Sequence, residues 1–198
     1  MKEYMPALPH GVTATQQILA IAREKGALLF GEFTLASGKK SNRYYNGKKV
    51  TLAPDGAYWV AKAILDRING LKIDAVGGLE MGAVPIAAAV VTVSYLEGQP
   101  VAAFIVRHSA KDHGTKNPVE GYLKSGERVC VVDDVVTTGE SVLKAVAAVR
   151  EAGGQVVKVI AIVDRHEGGS DRIRAEGYDF DCLLDFWPSG EVTTAADK

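Results

Sequence analysis

Apolar residues in this chain fall into runs of two kinds, and the change from one kind to the other predicts the architecture. Over residues 13–25 the apolar positions Ile18, Ile21 and Ala22 recur at helical spacing, with Thr13 or Thr15 placed to cap and Gly26 to stop the helix. Residues 28–45, rich in Phe, Thr, Tyr and Gly, read as a short antiparallel pair turning at Ser37 and Gly38. Residues 54–68 read as an amphipathic helix with Pro54 in its first turn and Gly70 just beyond it. From residue 74 the rhythm changes. Continuous apolar runs at 74–78, 101–106, 129–132, 156–163 and 182–186 read as buried strands. Helical stretches at 83–96 and 141–152 lie between them, the second ended by Gly153 and Gly154, and 107–125 is polar. The tail 191–198 reads as frayed. Strands apolar on both faces, alternating with helices, imply a mostly parallel sheet covered on both sides, an α/β fold.

Length and composition narrow the class. A chain of 198 residues, 47% hydrophobic and 24% charged, fits a single soluble domain. Such a chain buries about 70% of its unfolded surface, enough for a core of its own. Twenty-one glycines, against about 14 at average usage, punctuate the ends of apolar runs as α/β loops require. With 23 Lys and Arg against 24 Asp and Glu, the net charge of −1 makes no global case for nucleic acid or membrane. Cys130 and Cys182 stand far apart with no CxxC pattern, which argues against a disulfide scaffold or structural zinc and for a reducing cytoplasm. Residues 1–10 have no apolar signal core, and no apolar run reaches the 18 residues of a membrane span.

Open parallel sheets bind ligands beyond the carboxyl ends of their strands. The run 129–132 is followed by Asp133, Asp134, Val135, Val136, Thr137, Thr138, Gly139, Glu140 and Ser141, and then by a helix. Paired carboxylates at a strand end can bind sugar hydroxyls or help to hold a metal. The Thr-Thr-Gly-x-Ser segment offers hydroxyls and N–H groups at a helix N-terminus, with Gly139 allowing close approach to a phosphate. Together they suit a phosphorylated sugar. A blander reading has the carboxylates ending a strand and Ser141 capping a helix. An isolated Asp-Asp also occurs in phosphoacceptor signalling domains, and the full nine-residue run is far more specific than the dipeptide.

This run resembles the phosphoribosyl pyrophosphate (PRPP) signature of type I phosphoribosyltransferases. Three other stretches narrow the likeness. Residues 30–46, from Phe30 through Ser37, Gly38, Lys39 and Lys40 to Tyr44, Tyr45 and Asn46, resemble the hood segment of orotate phosphoribosyltransferases. Residues 107–114 are similar to their mobile catalytic loop, and 77–86 to their pyrophosphate-side loop. Arg165 follows Asp164 where that family keeps an arginine after a strand. The resemblance covers nearly the whole chain, in order.

It implies one phosphoribosyltransferase domain over 1–198. The core is at about 51–186, a central mostly parallel sheet flanked by helices. A small hood comes from about 1–50 and the C-terminal segment. The implied reaction joins orotate to PRPP, giving orotidine 5′-monophosphate and pyrophosphate, with Mg²⁺ carried mainly on PRPP oxygens rather than by protein ligands. By the resemblance Lys111, His113, Asp133 and Asp134 are catalytic. PRPP is further held by Arg107, His108, Val135, Val136, Thr137, Thr138, Gly139, Glu140 and Ser141, and orotate by Thr137, Arg165, Tyr44 and Tyr45. The loop 107–121, with Gly114 and Gly121 as hinges, implies closure over the leaving group and sharing of sites across a homodimer. Read without the resemblance, that loop is a solvated basic segment, Arg165 a surface charge, and the two tyrosines strand packing. His10 and His166 read as surface or structural.

Two positions depart from the pattern. Ala36 stands where many relatives have a PRPP-contacting lysine, a role open to Lys39 or Lys40. His108 stands where lysine is frequent, and a histidine there would weaken the hold on pyrophosphate as pH rises. Alternatives are a phosphoribosyltransferase for another base, or a PRPP-responsive regulator that binds nucleic acid. The hood and Arg165 speak against the first, and the net charge and missing helix-turn-helix segment against the second.

Overall fold

The computed structural model describes residues 11–34, 40–108 and 118–195. Helix α1 (Ala14–Glu24) starts from a capping box: the Thr13 side chain accepts from the Gln16 N–H, and the Gln16 side chain from the Thr13 N–H. Its apolar stripe, Ile18, Ile21 and Ala22, is buried. Strands β1 (Leu28–Thr34) and β2 (Lys40–Tyr45) pair antiparallel as a separate hairpin, and the expected turn at Ser37 and Gly38 lies outside the described residues. Helix α2 (Lys48–Thr51) is a single turn, too short to show a period in the sequence. Helix α3 (Pro54–Ile68) follows with Pro54 in the first turn, as expected.

The main sheet is built from β3 (Ala75–Leu79), β4 (Ala102–Val106), β5 (Val119–Gly121), β6 (Arg128–Val136), β7 (Gln155–Asp164), β8 (Phe180–Phe186) and β9 (Val192–Thr194). Helices α4 (Ala83–Leu96), α5 (Glu140–Glu151) and α6 (Gly169–Ala175) connect them. The order is β5-β4-β3-β6-β7-β8-β9, parallel throughout except for the antiparallel edges β5 and β9. Alternate residues of the inner strands feed two cores. Cys130, Val132, Ile160 and Ile162 pack with α1, α3 and α4, whereas Val129, Val131, Val159 and Ala161 pack with α5 and α6. Burial on both faces explains why these strands read as continuous apolar runs. No helix among the described residues is long and apolar enough to cross a membrane.

Three expectations need correction. Within the polar stretch 107–125, residues 119–121 form β5, and the Arg107 N–H bonds the Pro118 carbonyl at 2.9 Å. Gly121 is therefore no free hinge: a Cβ there would sit 2.7 Å from the Ala103 carbonyl oxygen. Nor is the tail wholly frayed, because 192–194 pair with β8. Finally, the strand read over 129–132 runs on to Val136, so Asp133 and Asp134 lie inside it. Edge strands of three residues carry too little pattern to be read, and a strand continuing through carboxylates breaks the apolar pattern altogether.

Candidate active site

The sheet switches direction between β3 and β6, since β4 lies on the far side of β3, and crevices at such points bind ligands. Pairing of β3 with β6 ends at Gly77 and Val131, while β6 stays paired with β7 as far as Val136 and Asp164. Asp133 and Asp134 occupy this one-sided stretch. Main chain crowds them closely: a Cβ on Gly82 would lie 2.6 Å from Asp134 Oδ1 and 2.7 Å from Asp133 Oδ1. One on Gly47 would lie 2.7 Å from Asp134 Oδ2. Burial, and then the charge of its neighbour, holds the Asp133 carboxyl well above the usual carboxylate range. Burial also raises Asp134, with Lys48 opposing. Two crowded carboxylates out of water are strong acceptors for adjacent hydroxyls.

Beyond Val136 the chain turns into α5. Gly139 is the N-cap with a left-handed φ of 76°, and a Cβ there would meet the Gly169 carbonyl oxygen at 2.9 Å. The Gly169 N–H bonds the Thr137 carbonyl at 2.9 Å, fixing the turn from the side. Asp133, Thr137, Thr138, Gly139, Glu140 and Ser141 line a small cup there, with Thr138 and Ser141 exposed. N–H groups at the start of a twelve-residue helix favour an anion in it.

The hairpin packs against the end of β7. Arg165 is 3% exposed and is no surface charge: its Nη2 donates to Ser41 Oγ at 2.9 Å and to the Arg43 carbonyl at 3.2 Å. Arg43, 4% exposed, donates from Nη2 to the Arg165 carbonyl at 2.6 Å, and its guanidinium lies 5.3 Å from the Phe186 ring centre. Tyr44 is half exposed beside Phe33, with ring centres 5.7 Å apart. Tyr45 is buried; its hydroxyl has no hydrogen-bond partner among the described residues, and burial with the charge of Asp134 raises its pKa. Tyr45 of the hairpin thus lies within reach of the charge of Asp134, while Arg165 follows β7 and bonds through its N–H to the Val136 carbonyl at the end of β6, at 3.0 Å.

At the end of β4, the His108 N–H donates to Glu80 Oε1 at 2.9 Å and the His108 carbonyl accepts from Lys144 Nζ at 2.7 Å. The Arg107 guanidinium bonds Glu120 at 3.0 Å. Lys111, His113, Gly114, Ala36, Lys39 and His10 lie outside the described residues. Lys40 opens β2 as an exposed residue.

Known proteins resemble this chain over most of its length. Residues 39–192 match the phosphoribosyl transferase domain. The orotate phosphoribosyltransferase of Bradyrhizobium diazoefficiens is 46% identical over 157 residues, 77% of this chain and 84% of that protein. That of Aquifex aeolicus is 48% identical over 145 residues, 73% of this chain and 79% of that protein. The chain belongs to the phosphoribosyl transferase family, among the orotate phosphoribosyltransferases. Solved relatives agree in fold. The Mycobacterium tuberculosis orotate phosphoribosyltransferase in complex with Fe(III) dicitrate superposes with a TM-score of 0.74 at 32% identity, over 87% of this chain and 95% of that one. The same enzyme in complex with PRPP gives 0.70 at 31%, with the same coverage.

Within this family frame, sequence reasoning missed Arg43, Glu167, Gly47, Gly82 and Lys144. Arg43 and Glu167 have no local signal, since each gains its meaning from Arg165. The adjoining cluster of Asp164, His166 and Asp185 is the group of potential metal-ligating side chains found among the described residues. His166 Nε2 lies 2.8 Å from Asp185 Oδ1, Nδ1 lies 3.7 Å from Asp164 Oδ2, and the ring stacks on Trp187 at 3.8 Å. With both ring nitrogens facing carboxylates, it ties the ends of β7 and β8.

Proposed function

We propose that this chain transfers the 5-phosphoribosyl group of PRPP to orotate, giving orotidine 5′-monophosphate and pyrophosphate, as a cytoplasmic homodimer with shared sites. This reading is supported by the Asp133–Asp134 pair and the Gly139-capped cup at the end of β6, with the buried Arg165 bonded through its N–H to the Val136 carbonyl beside them at 3.0 Å. Asp133 and Asp134 accept from the ribose 2′- and 3′-hydroxyls, and the segment 137–141 holds the 5′-phosphate. Arg165, with Tyr44, Tyr45 and Thr137, holds orotate. The C1–oxygen bond breaks with its electron pair leaving on pyrophosphate, and orotate N1 bonds to C1 as its proton passes to solvent. Positive charge that develops on the ribose is stabilised by the two carboxylates, and negative charge on the leaving group by Arg107, His108, Lys111 and His113. Two crowded carboxylates that resist ionisation beside one another suit a nearby hard cation. Mg²⁺ would be held by PRPP oxygens and water near Asp133 and Asp134, and it supplies neutralisation of the leaving pyrophosphate.

Loss of orotate ultraviolet absorbance with purified protein, PRPP and Mg²⁺ tests the reading, with adenine, hypoxanthine and uracil run alongside. Consumption of orotate alone is expected. Turnover of a purine instead would refute the acceptor assignment, and binding of PRPP with no base consumed would favour a regulator. Site sharing is tested by mixing Lys111→Ala chains with Asp133→Asn/Asp134→Asn chains, where restored activity is expected.

A further inference from the structure

Arg43 and Arg165 are two cations packed against one another with almost no access to water. Each donates to the other's backbone carbonyl, at 2.6 Å and 3.2 Å. One carboxylate among the described residues is recorded as an ion-pair partner of both. Glu167 Oε1 lies 2.9 Å from Arg165 Nη2 and 3.8 Å from Arg43 Nη2. The neighbouring Asp164 is engaged elsewhere, with the His166 N–H and ring. Both guanidiniums also keep a buried Nε with no hydrogen-bond partner among the described residues. Burial and then the charge of Arg165 lower the pKa of Arg43, with Glu167 opposing, as an uncompensated positive pair requires. So among the described residues the pair carries two positive charges against a single paired negative one.

Glu167 differs from the two arginines in being at the edge. Its side chain is 30% exposed, against 5% and 4% for theirs. It is followed by Gly168, at φ 90°, with nothing within 4 Å of where a Cβ would stand. The carboxylate can thus leave the guanidiniums by local rotation, whereas neither arginine can move without undoing the hairpin's attachment.

We propose that Glu167 is a resident stand-in for the acceptor's carboxylate: it balances the Arg43–Arg165 pair in the free protein and yields its place to orotate. This rests on the reading of orotate as the acceptor. Arg43 is then a positioning residue, and Glu167 an internal competitor that raises the orotate concentration needed for half-saturation. A binding-competent state populated at roughly a tenth to a third weakens apparent affinity by about three- to ten-fold.

Steady-state kinetics of Glu167→Gln and Glu167→Asp test this, with melting curves to establish that both variants are folded. In Glu167→Gln the KM for orotate is expected to fall about three- to ten-fold, with the KM for PRPP unchanged and inhibition by uracil no stronger. In Glu167→Asp, where the shorter arm loosens the contact, a smaller fall is expected. A raised orotate KM would make Glu167 a support for Arg165 and overturn the proposal, and an unchanged KM would also overturn it. Equal gains for orotate and uracil would mean a general opening of the pocket and count against it too. Wild-type protein that leaves orotate untouched would instead sink the acceptor assignment itself, before any variant is compared.

Discussion

The two halves of the proposed site are built in opposite ways. The half proposed to hold ribose and phosphate is nine consecutive residues, 133–141, carried by one strand, one turn and the start of one helix. The half proposed to hold the acceptor joins Arg43 to Arg165 across 122 positions of sequence, through a hairpin that belongs to a different sheet. A contiguous half keeps its geometry whenever β6 and α5 are in place. The assembled half depends on docking, through the reciprocal arginine–carbonyl bonds and the Phe186 ring beneath Arg43. It follows that damage to the first half should abolish chemistry, and damage to the second should show mainly as lost acceptor affinity.

The largest effect expected is from Asp133→Asn combined with Asp134→Asn: kcat should fall by about 10²- to 10³-fold with the fold intact. A loss of tenfold or less in the orotate assay would break the assignment of these carboxylates. Arg165→Gln should raise the orotate KM by roughly 10- to 100-fold, the usual worth of a charged hydrogen bond, while the PRPP KM stays within about two-fold. Equal damage to both constants would dissolve the distinction between the halves. Gly139→Ala places a side chain at φ 76° against the Gly169 carbonyl, so about 1–3 kcal/mol of stability should be lost, read by urea titration.

Acidity sharpens the comparison. Asp133 and Asp134 have folded-state pKa values raised above those of the unfolded chain, so the folded protein binds more protons in the interval between the two. Their contribution to stability therefore declines as pH rises through that interval and stays low above it. Hydroxyl binding needs the ionised pair, so PRPP affinity should move the other way and weaken as pH falls through the raised values. Asp134→Asn should flatten the stability profile on its own, seen in melting temperatures from pH 4 to 8; an unaltered profile would contradict the buried repulsion. The smallest effect concerns Cys130, whose thiol burial pushes up to about 12. It should resist alkylation by iodoacetamide at pH 8 in the native protein and react once unfolded.

Much was legible in the amino-acid order because its cause is local. Thr13 with Gln16 is a capping box within four residues, Pro54 opens a helix by its own ring geometry, and residues 54–68 end where their periodicity ends. The Asp133–Ser141 run was readable for the same reason: strand, carboxylates, glycine turn and helix start are neighbours in the chain. What tertiary structure alone decided is everything whose partners are distant. The extension of β6 through two carboxylates rests on β7 beside it, and the three-residue edges exist only because β4 and β8 offer free ladders. Arg165 reads as a surface charge until the hairpin covers it, and Glu167 has no meaning until two arginines face it. Side-chain type and spacing encode the bonds a residue can make with its neighbours; burial and charge balance depend on which distant segments the packed core brings alongside.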